Sequence, residues 1–175
     1  ARSEELHLIY TGGIMVQKGV DTAVEAMGLL HQRGEAGDLS LTIVGSGQPE
    51  YEAYLMERVS QLGLDGLVTF RGHVPRDQVP GLLREADVFL FTSVWEEPLA
   101  RSVMEAMASG LAVLATPVGG EKEMLENEVN ALTFPPGDAE ALARCIQQVR
   151  DDPDLRMRLG KAGRETVLER FTLDR

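Results

Sequence analysis

A parallel α/β sandwich is the fold this sequence predicts, on two observations. Short, almost continuous apolar runs recur along the chain, as strands buried on both faces of a parallel sheet require. Between them lie segments with apolar residues at helical spacing and polar residues opposite. Strand and helix alternate about six times. The right-handed crossover rule then makes the arrangement a Rossmann-like parallel sheet sandwiched by helices.

Leu6 to Tyr10 is the first strand. A helix from Val20 to Arg33 follows, its stripe made by Val20, Ala23, Val24, Ala26, Met27 and Leu30. Leu39 to Val44 is the second strand and Glu50 to Leu62 the second helix. Val68 to Arg71 is the third strand, before a short helix from Arg76 to Ala86. The fourth strand, Val88 to Phe91, is wholly apolar. It leads to a helix from Ala100 to Ser109 that Gly110 closes. Ala112 to Ala115 and Ala131 to Phe134 complete the sheet. Asp138 is the expected N-cap of a helix to Arg150, with Ala139, Leu142, Ala143, Ile146 and Val149 on one side. Asp154 to Phe171 is expected as one or two helices, broken at Gly160 and Gly163.

The 175 residues suit one domain. At 43% hydrophobic and 26% charged, the composition excludes disordered and collagen-like classes. With 28 acidic against 17 basic residues, the net charge of −11 argues against a nucleic-acid surface. A small anion needs only one or two local cations, so that class stays open. The one cysteine, Cys145, excludes an internal disulfide framework and reads as core on the apolar side of its helix. His7, His31 and His73 are scattered, which makes a zinc site improbable. No apolar run approaches the roughly 18 residues of a membrane span. The opening Ala1-Arg-Ser-Glu-Glu carries neither an initiating Met nor a signal pattern, and is expected to be cut from a longer chain.

In open α/β sheets, ligands sit beyond the carboxyl ends of the strands, at the topological switch point. Four loops lie there. The first runs from Thr11 through Gly12 and Gly13 to Lys18-Gly19. Glycines admit backbone N–H groups to a ligand and Lys18 could supply a positive charge; a turn with a surface lysine fits equally well. The second, Val44-Gly45-Ser46-Gly47, lacks the third glycine of a dinucleotide loop and reads at least as well as a tight turn. The third is the informative one. Glu97 stands in the loop and Glu105 eight residues on, about a turn into the helix, with N–H groups of residues 99 to 102 at the helix start. Carboxylates accept from vicinal hydroxyls of a sugar or ribose; a solvated acidic turn is the plain alternative. In this loop Trp95 is expected to pack beneath the chain. The fourth, Val118-Gly-Gly-Glu-Lys-Glu123, is another glycine turn, with Glu123 at a ligand hydroxyl or, slightly favoured, at the helix start.

In this order the motifs resemble the C-terminal domain of family 4 glycosyltransferases of GT-B architecture. The residues that carry the likeness are Tyr10-Thr-Gly-Gly, Lys18-Gly-Val-Asp21, Ile43-Val-Gly-Ser-Gly, Val68-Thr-Phe-Arg-Gly-His-Val74 and Ala86-Asp-Val-Phe-Leu90. Glu97-Pro98 to Glu105-Ala-Met-Ala-Ser-Gly110, Val118-Gly-Gly, Pro135-Pro-Gly-Asp138 and Glu169-Arg-Phe171 complete them. Each is weak alone; the ordered set is specific and covers nearly the whole chain.

The resemblance implies the donor-binding half of a retaining hexosyltransferase, with residues 1–175 a Rossmann-like domain of a longer two-domain chain. Glu97 would hold hydroxyls of the donor sugar and Glu105 the ribose. N–H groups of Leu99, Ala100 and Arg101 would meet sugar and diphosphate, with Pro98, Gly12, Gly13 and Gly45 beside them. Lys18 would neutralise the diphosphate, so that Lys18 and Glu97 carry the catalysis, and Val74 would border the base. The donor is a nucleotide-diphosphate sugar, without metal or other cofactor. An amino-terminal acceptor domain is the implied partner, and the fragment alone is expected to be inactive. A cytoplasmic location is expected, with a peripheral position at the inner membrane face open to it through the full-length protein or a lipid-linked acceptor. The sequence departs from the family pattern at Gly13, where an arginine is usual, at Leu99-Ala100 in place of Phe-Gly, and at Asn130-Ala131 in place of Asn-Gly. These departures keep a non-catalytic nucleotide-sugar-binding or scaffold domain as the alternative. A dinucleotide oxidoreductase rests on fold alone and ranks below both.

Overall fold

The computed structural model describes residues 5–170. Six parallel strands form one sheet: β1 (Leu6–Thr11), β2 (Leu39–Val44), β3 (Val68–Gly72), β4 (Val88–Phe91), β5 (Ala112–Ala115) and β6 (Leu132–Thr133). Their order is β3-β2-β1-β4-β5-β6, so the direction of winding reverses between β1 and β4. The helices are α1 (Val20–Gln32), α2 (Pro49–Gln61), α3 (Val79–Glu85), α4 (Arg101–Ala108), α5 (Glu121–Met124), α6 (Ala139–Asp151) and α7 (Pro153–Arg170). The Rossmann-like expectation holds.

Alternation along the central strands splits the core into two layers. Leu8, Tyr10, Leu41, Ile43, Leu90 and Leu114 face a layer closed by α1, α2 and α6. Ile9, Phe89, Phe91, Val113 and Ala115 face the other, closed mainly by α3 and α4. Both faces are covered, which is why these strands read as unbroken apolar runs. Asp138 caps α6 as expected, its carboxylate accepting from the Ala141 N–H at 2.9 Å.

Three expectations need correction. The helix placed from Arg76 to Ala86 starts as a 3₁₀ turn at Arg76–Gln78, and α3 proper begins at Val79. Pro80 explains this, since it is tolerated only in a first turn. The last strand shrinks to Leu132–Thr133 at the sheet edge. The helix start expected after the fourth glycine turn is present as the four-residue α5. Finally, α7 runs unbroken through Gly160 and Gly163 to Arg170; Phe171 lies outside the described residues.

Those two glycines serve close packing. A Cβ on Gly160 would stand 2.3 Å from the Gly110 carbonyl oxygen, and one on Gly163 would stand 3.3 Å from Met107 Cγ. The two readings of Gly160 differ in sign. As a helix weakener, its replacement by alanine would gain about 1 kcal/mol. As a contact residue against backbone, the overpacking outweighs that gain. Gly160→Ala is therefore expected to destabilise by about 2 kcal/mol net and lower Tm by roughly 4–8 °C, measured by thermal denaturation.

Candidate functional site

The sheet order opens a crevice where β1 and β4 part. A pocket of ≈ 280 Å³ occupies it. Its walls are Tyr10, Thr11 and Gly12 at the end of β1, Lys18 beyond them, Phe91 at the end of β4 with Ser93 beyond it, and residues 97–102 leading into α4.

Backbone ties bring the first and third loops together. The Thr92 hydroxyl donates to the Lys18 carbonyl at 2.8 Å. The Val94 N–H and the Ser93 hydroxyl both donate to the Gln17 carbonyl, at 3.1 and 3.2 Å. Lys18 ends a short 3₁₀ turn at Val16–Lys18 and is held by these bonds over the pocket. Its Nζ lies 2.6 Å from Glu97 Oε2, and both side chains are largely buried. Beneath them the Tyr10 hydroxyl donates to the Gly13 carbonyl at 2.8 Å. Burial raises the Tyr10 phenol well above its ordinary value, and the charge of Glu97 adds to this.

The fourth loop supports the third from behind. The Gly120 N–H donates to the Glu97 carbonyl at 3.0 Å. Glu96 takes the Gly119 N–H at 2.8 Å and pairs with Lys122 at 2.9 Å, and this pairing holds its carboxyl below the usual range. Gly119 packs backbone on backbone, since a Cβ there would stand 1.9 Å from the Glu97 carbonyl oxygen. Glu121, wholly buried, accepts from the Ala100 N–H through Oε1. No side chain of α4 itself caps that helix, whose first-turn N–H groups have no intrahelical partner.

Of the residues nominated from sequence, Gly12, Lys18, Glu97, Pro98, Leu99, Ala100 and Arg101 share this one pocket. Gly13, Gly45, Val74 and Glu105 do not line it. Gly13 lies beside it and anchors Tyr10. The Gly45 N–H donates to the Gly72 carbonyl at 2.8 Å, and a Cβ on Gly45 would stand 1.8 Å from the Gly12 carbonyl oxygen. Its glycine is thus required by the fit of the second loop against the first. Val74 is half-buried against the core layer under α3. Glu105 pairs with Arg101 at 3.1 Å along α4, so the two glutamates of the spaced pair each hold a separate cation.

The N–H of Ala100, expected to be free for a ligand, is bound by Glu121. Trp95 is also corrected: its side chain is exposed, at 65%. Tyr10, Thr11, Phe91, Ser93 and Ser102 also line the pocket without having been nominated, and neither was Glu121, which supports it from behind. Glu123, weighed in the same turn, is exposed. Nothing in the order Gly-Gly-Glu-Lys-Glu says which carboxylate turns inward. Cys145 is buried as expected, and burial pushes its thiol up to about 11. Among the described residues no group of three or more His, Cys, Asp or Glu side chains could hold a metal ion. No described helix is long and apolar enough to cross a membrane.

Comparison with known proteins follows the same geometry. The family described as "Glycosyl transferases group 1" matches residues 1–166. The 2-deoxystreptamine glucosyltransferase of Streptomyces kanamyceticus is 34% identical over 162 residues, covering 93% of this chain and 41% of its own. The chain thus spans about two fifths of the length of the curated relatives it matches. The crystal structure of Anabaena HepE in complex with UDP-glucose superposes with a TM-score of 0.88 at 25% identity, over 95% of this chain and 45% of that one. The C-terminal domain of the group 1 glycosyl transferase LpcC from Francisella tularensis gives a TM-score of 0.87 at 24% identity, over 97% of this chain and 88% of that one.

Proposed function

Since the chain belongs to the glycosyl transferases group 1 family, we propose that it is the donor-binding domain of a family 4 GT-B enzyme that transfers a hexose with retention from a nucleotide-diphosphate sugar. The observation that carries this is the meeting of Lys18 and Glu97, 79 residues apart in sequence, at 2.6 Å inside the switch-point pocket. An arriving diphosphate offers Lys18 a stronger partner than Glu97. The ammonium moves to the phosphates, and the freed carboxylate accepts from hydroxyls of the sugar. When the glycosidic bond to phosphate breaks, negative charge grows on the departing nucleotide, and Lys18 stabilises it. The first turn of α4, through Arg101 and Ser102, adds N–H groups to the same anion.

In this reading a lysine supplies the charge that a metal supplies elsewhere, so transfer proceeds without one. The acceptor belongs to an amino-terminal domain, in keeping with relatives more than twice this length. The fragment then binds nucleotide sugar and does not turn over. The full protein works in the cytoplasm, at the inner membrane face where its acceptor is lipid-linked. Melting of the chain against UDP, GDP, ADP and their hexose conjugates tests the proposal. A rise with one nucleotide, lost in Lys18→Ala, supports it. Measurable sugar transfer by the fragment would contradict the division of labour.

Gly13 favours a second reading, a binding or scaffold domain without catalysis, because this chain lacks the second cation of the resembling family. The structure makes that cation restorable. A Cβ on Gly13 would meet only the flexible end of Met15, at 2.8 Å from its Cε. Gly13→Arg is expected to tighten diphosphate binding about tenfold, the scale of one charged hydrogen bond, read by isothermal titration. Unchanged nucleotide-sugar affinity in Glu97→Ala would favour the scaffold.

A further inference from the structure

We propose that Glu121 is a positioning residue of this pocket and takes up a proton when a diphosphate-bearing ligand binds. The inference rests on the donor-domain reading for its ligand. Three observations place Glu121. Its side chain is wholly buried. One oxygen accepts from the Ala100 N–H, at the N-terminus of a helix with no side-chain cap of its own. The other, Oε2, is buried and has no hydrogen-bond partner among the described residues. An internal carboxyl group already stands behind the turn where a ligand anion would bind.

The charged groups around it set the direction. Lys18 and Glu97 face it from the pocket side, paired with each other. Tyr10 lies below on β1 and Arg101 begins α4. Outside, Glu96 and Lys122 form a closed pair, and Glu123 is exposed. Burial raises the Glu121 carboxyl above the usual range, and the charge of Glu97 adds to it. A diphosphate that draws Lys18 away leaves Glu97 nearer to Glu121 in effect, and adds its own charge. Like charges disfavour the ionised form. The proton settles on Oε2, which gives up no bond, while Oε1 keeps the Ala100 N–H. The start of α4 therefore stays in place in both states.

Binding linked to one proton weakens up to about tenfold per pH unit between the pKa of the free chain and that of the complex. Below the free-chain value the group is already neutral and affinity is flat. Isothermal titration with UDP-glucose, GDP-mannose and ADP-glucose, in buffers of different ionisation heat, reads the uptake directly. Their diphosphate diesters do not titrate near neutral pH. Wild type is expected to take up as much as one proton, and Glu121→Gln none. The glutamine keeps an acceptor for Ala100, so affinity stays at least equal and becomes independent of pH. Glu121→Ala loses affinity, and Glu96→Gln keeps the linkage. A pH-independent wild type, or linkage that survives Glu121→Gln, overturns the proposal. If the wild type binds none of the three, the donor reading fails first. Carbon-13 NMR titration of the Glu121 carboxyl then decides. A midpoint in the ordinary carboxylate range, or an Ala100 amide that ignores the titration, overturns the positioning role.

Discussion

Lys18→Ala is expected to weaken nucleotide-sugar binding about 10- to 100-fold, the range for one charged contact to phosphate. The variant should also lose stability. Glu97, with its side chain only 14% exposed, would keep its charge and lose the cation at 2.6 Å. Stranding a largely buried carboxylate costs about 1–3 kcal/mol, or roughly 2–12 °C in Tm. Binding and folding effects can be separated. Adding Glu97→Gln to Lys18→Ala removes the stranded charge, so stability should return while affinity does not. Calorimetry of the single and double variants checks both arms. If affinity returns with stability, Lys18 is a structural partner of Glu97 and not a phosphate ligand.

Gly119→Ala is the second large effect. Gly119 has φ +56°, where a side chain crowds its own backbone, at a cost of about 1–2 kcal/mol. Its Cβ would also stand 1.9 Å from the Glu97 carbonyl oxygen and 2.6 Å from the Glu97 nitrogen. Backbone cannot rotate away as a side-chain tip can. Overpacking of this kind adds about 1–3 kcal/mol. Together a loss of about 2–5 kcal/mol is expected, seen as a fall in Tm of roughly 4–20 °C. Relief by movement displaces Glu97 itself, so nucleotide-sugar affinity should fall as well. Gly66→Ala, where the added Cβ meets nothing within 4 Å, provides the contrast.

The sheet was legible because its central strands are buried on both faces. Val88–Phe91 and Ala112–Ala115 are apolar at every position, and only a central parallel strand permits that. The caps and stops were legible where one residue acts locally, as Asp138 does. The glycines of α7 were misread because intrinsic propensity is local, whereas Gly160 answers to Gly110, fifty residues away. The pocket was legible as a set of loops, since the switch point follows from strand order. Its inner wiring was not. Glu121 and Glu123 are chemically identical, and only the turn at Gly119 and Gly120 decides which is buried. Trp95 was misplaced because hydrophobicity does not report which way a loop turns its side chain, and here the indole is exposed.

The pairing of β1 with β4 has a consequence for how the chain reaches this state. β1, β2 and β3 join in sequence order, each after one short crossover, and so do β4, β5 and β6. The seam between the two groups is different: the His7 N–H reaches the Asp87 carboxylate across 80 residues. Closing so long a loop comes at an entropic cost that grows with its length, and long-range parallel pairing is slow. Lys18 stands on one side of the seam and Glu97 on the other. The pocket is therefore expected to be assembled by the last contact of the sheet to form, and a ligand that bridges the two residues acts as a clamp on it. Such a ligand should slow unfolding more than it speeds folding, because the seam it holds forms late.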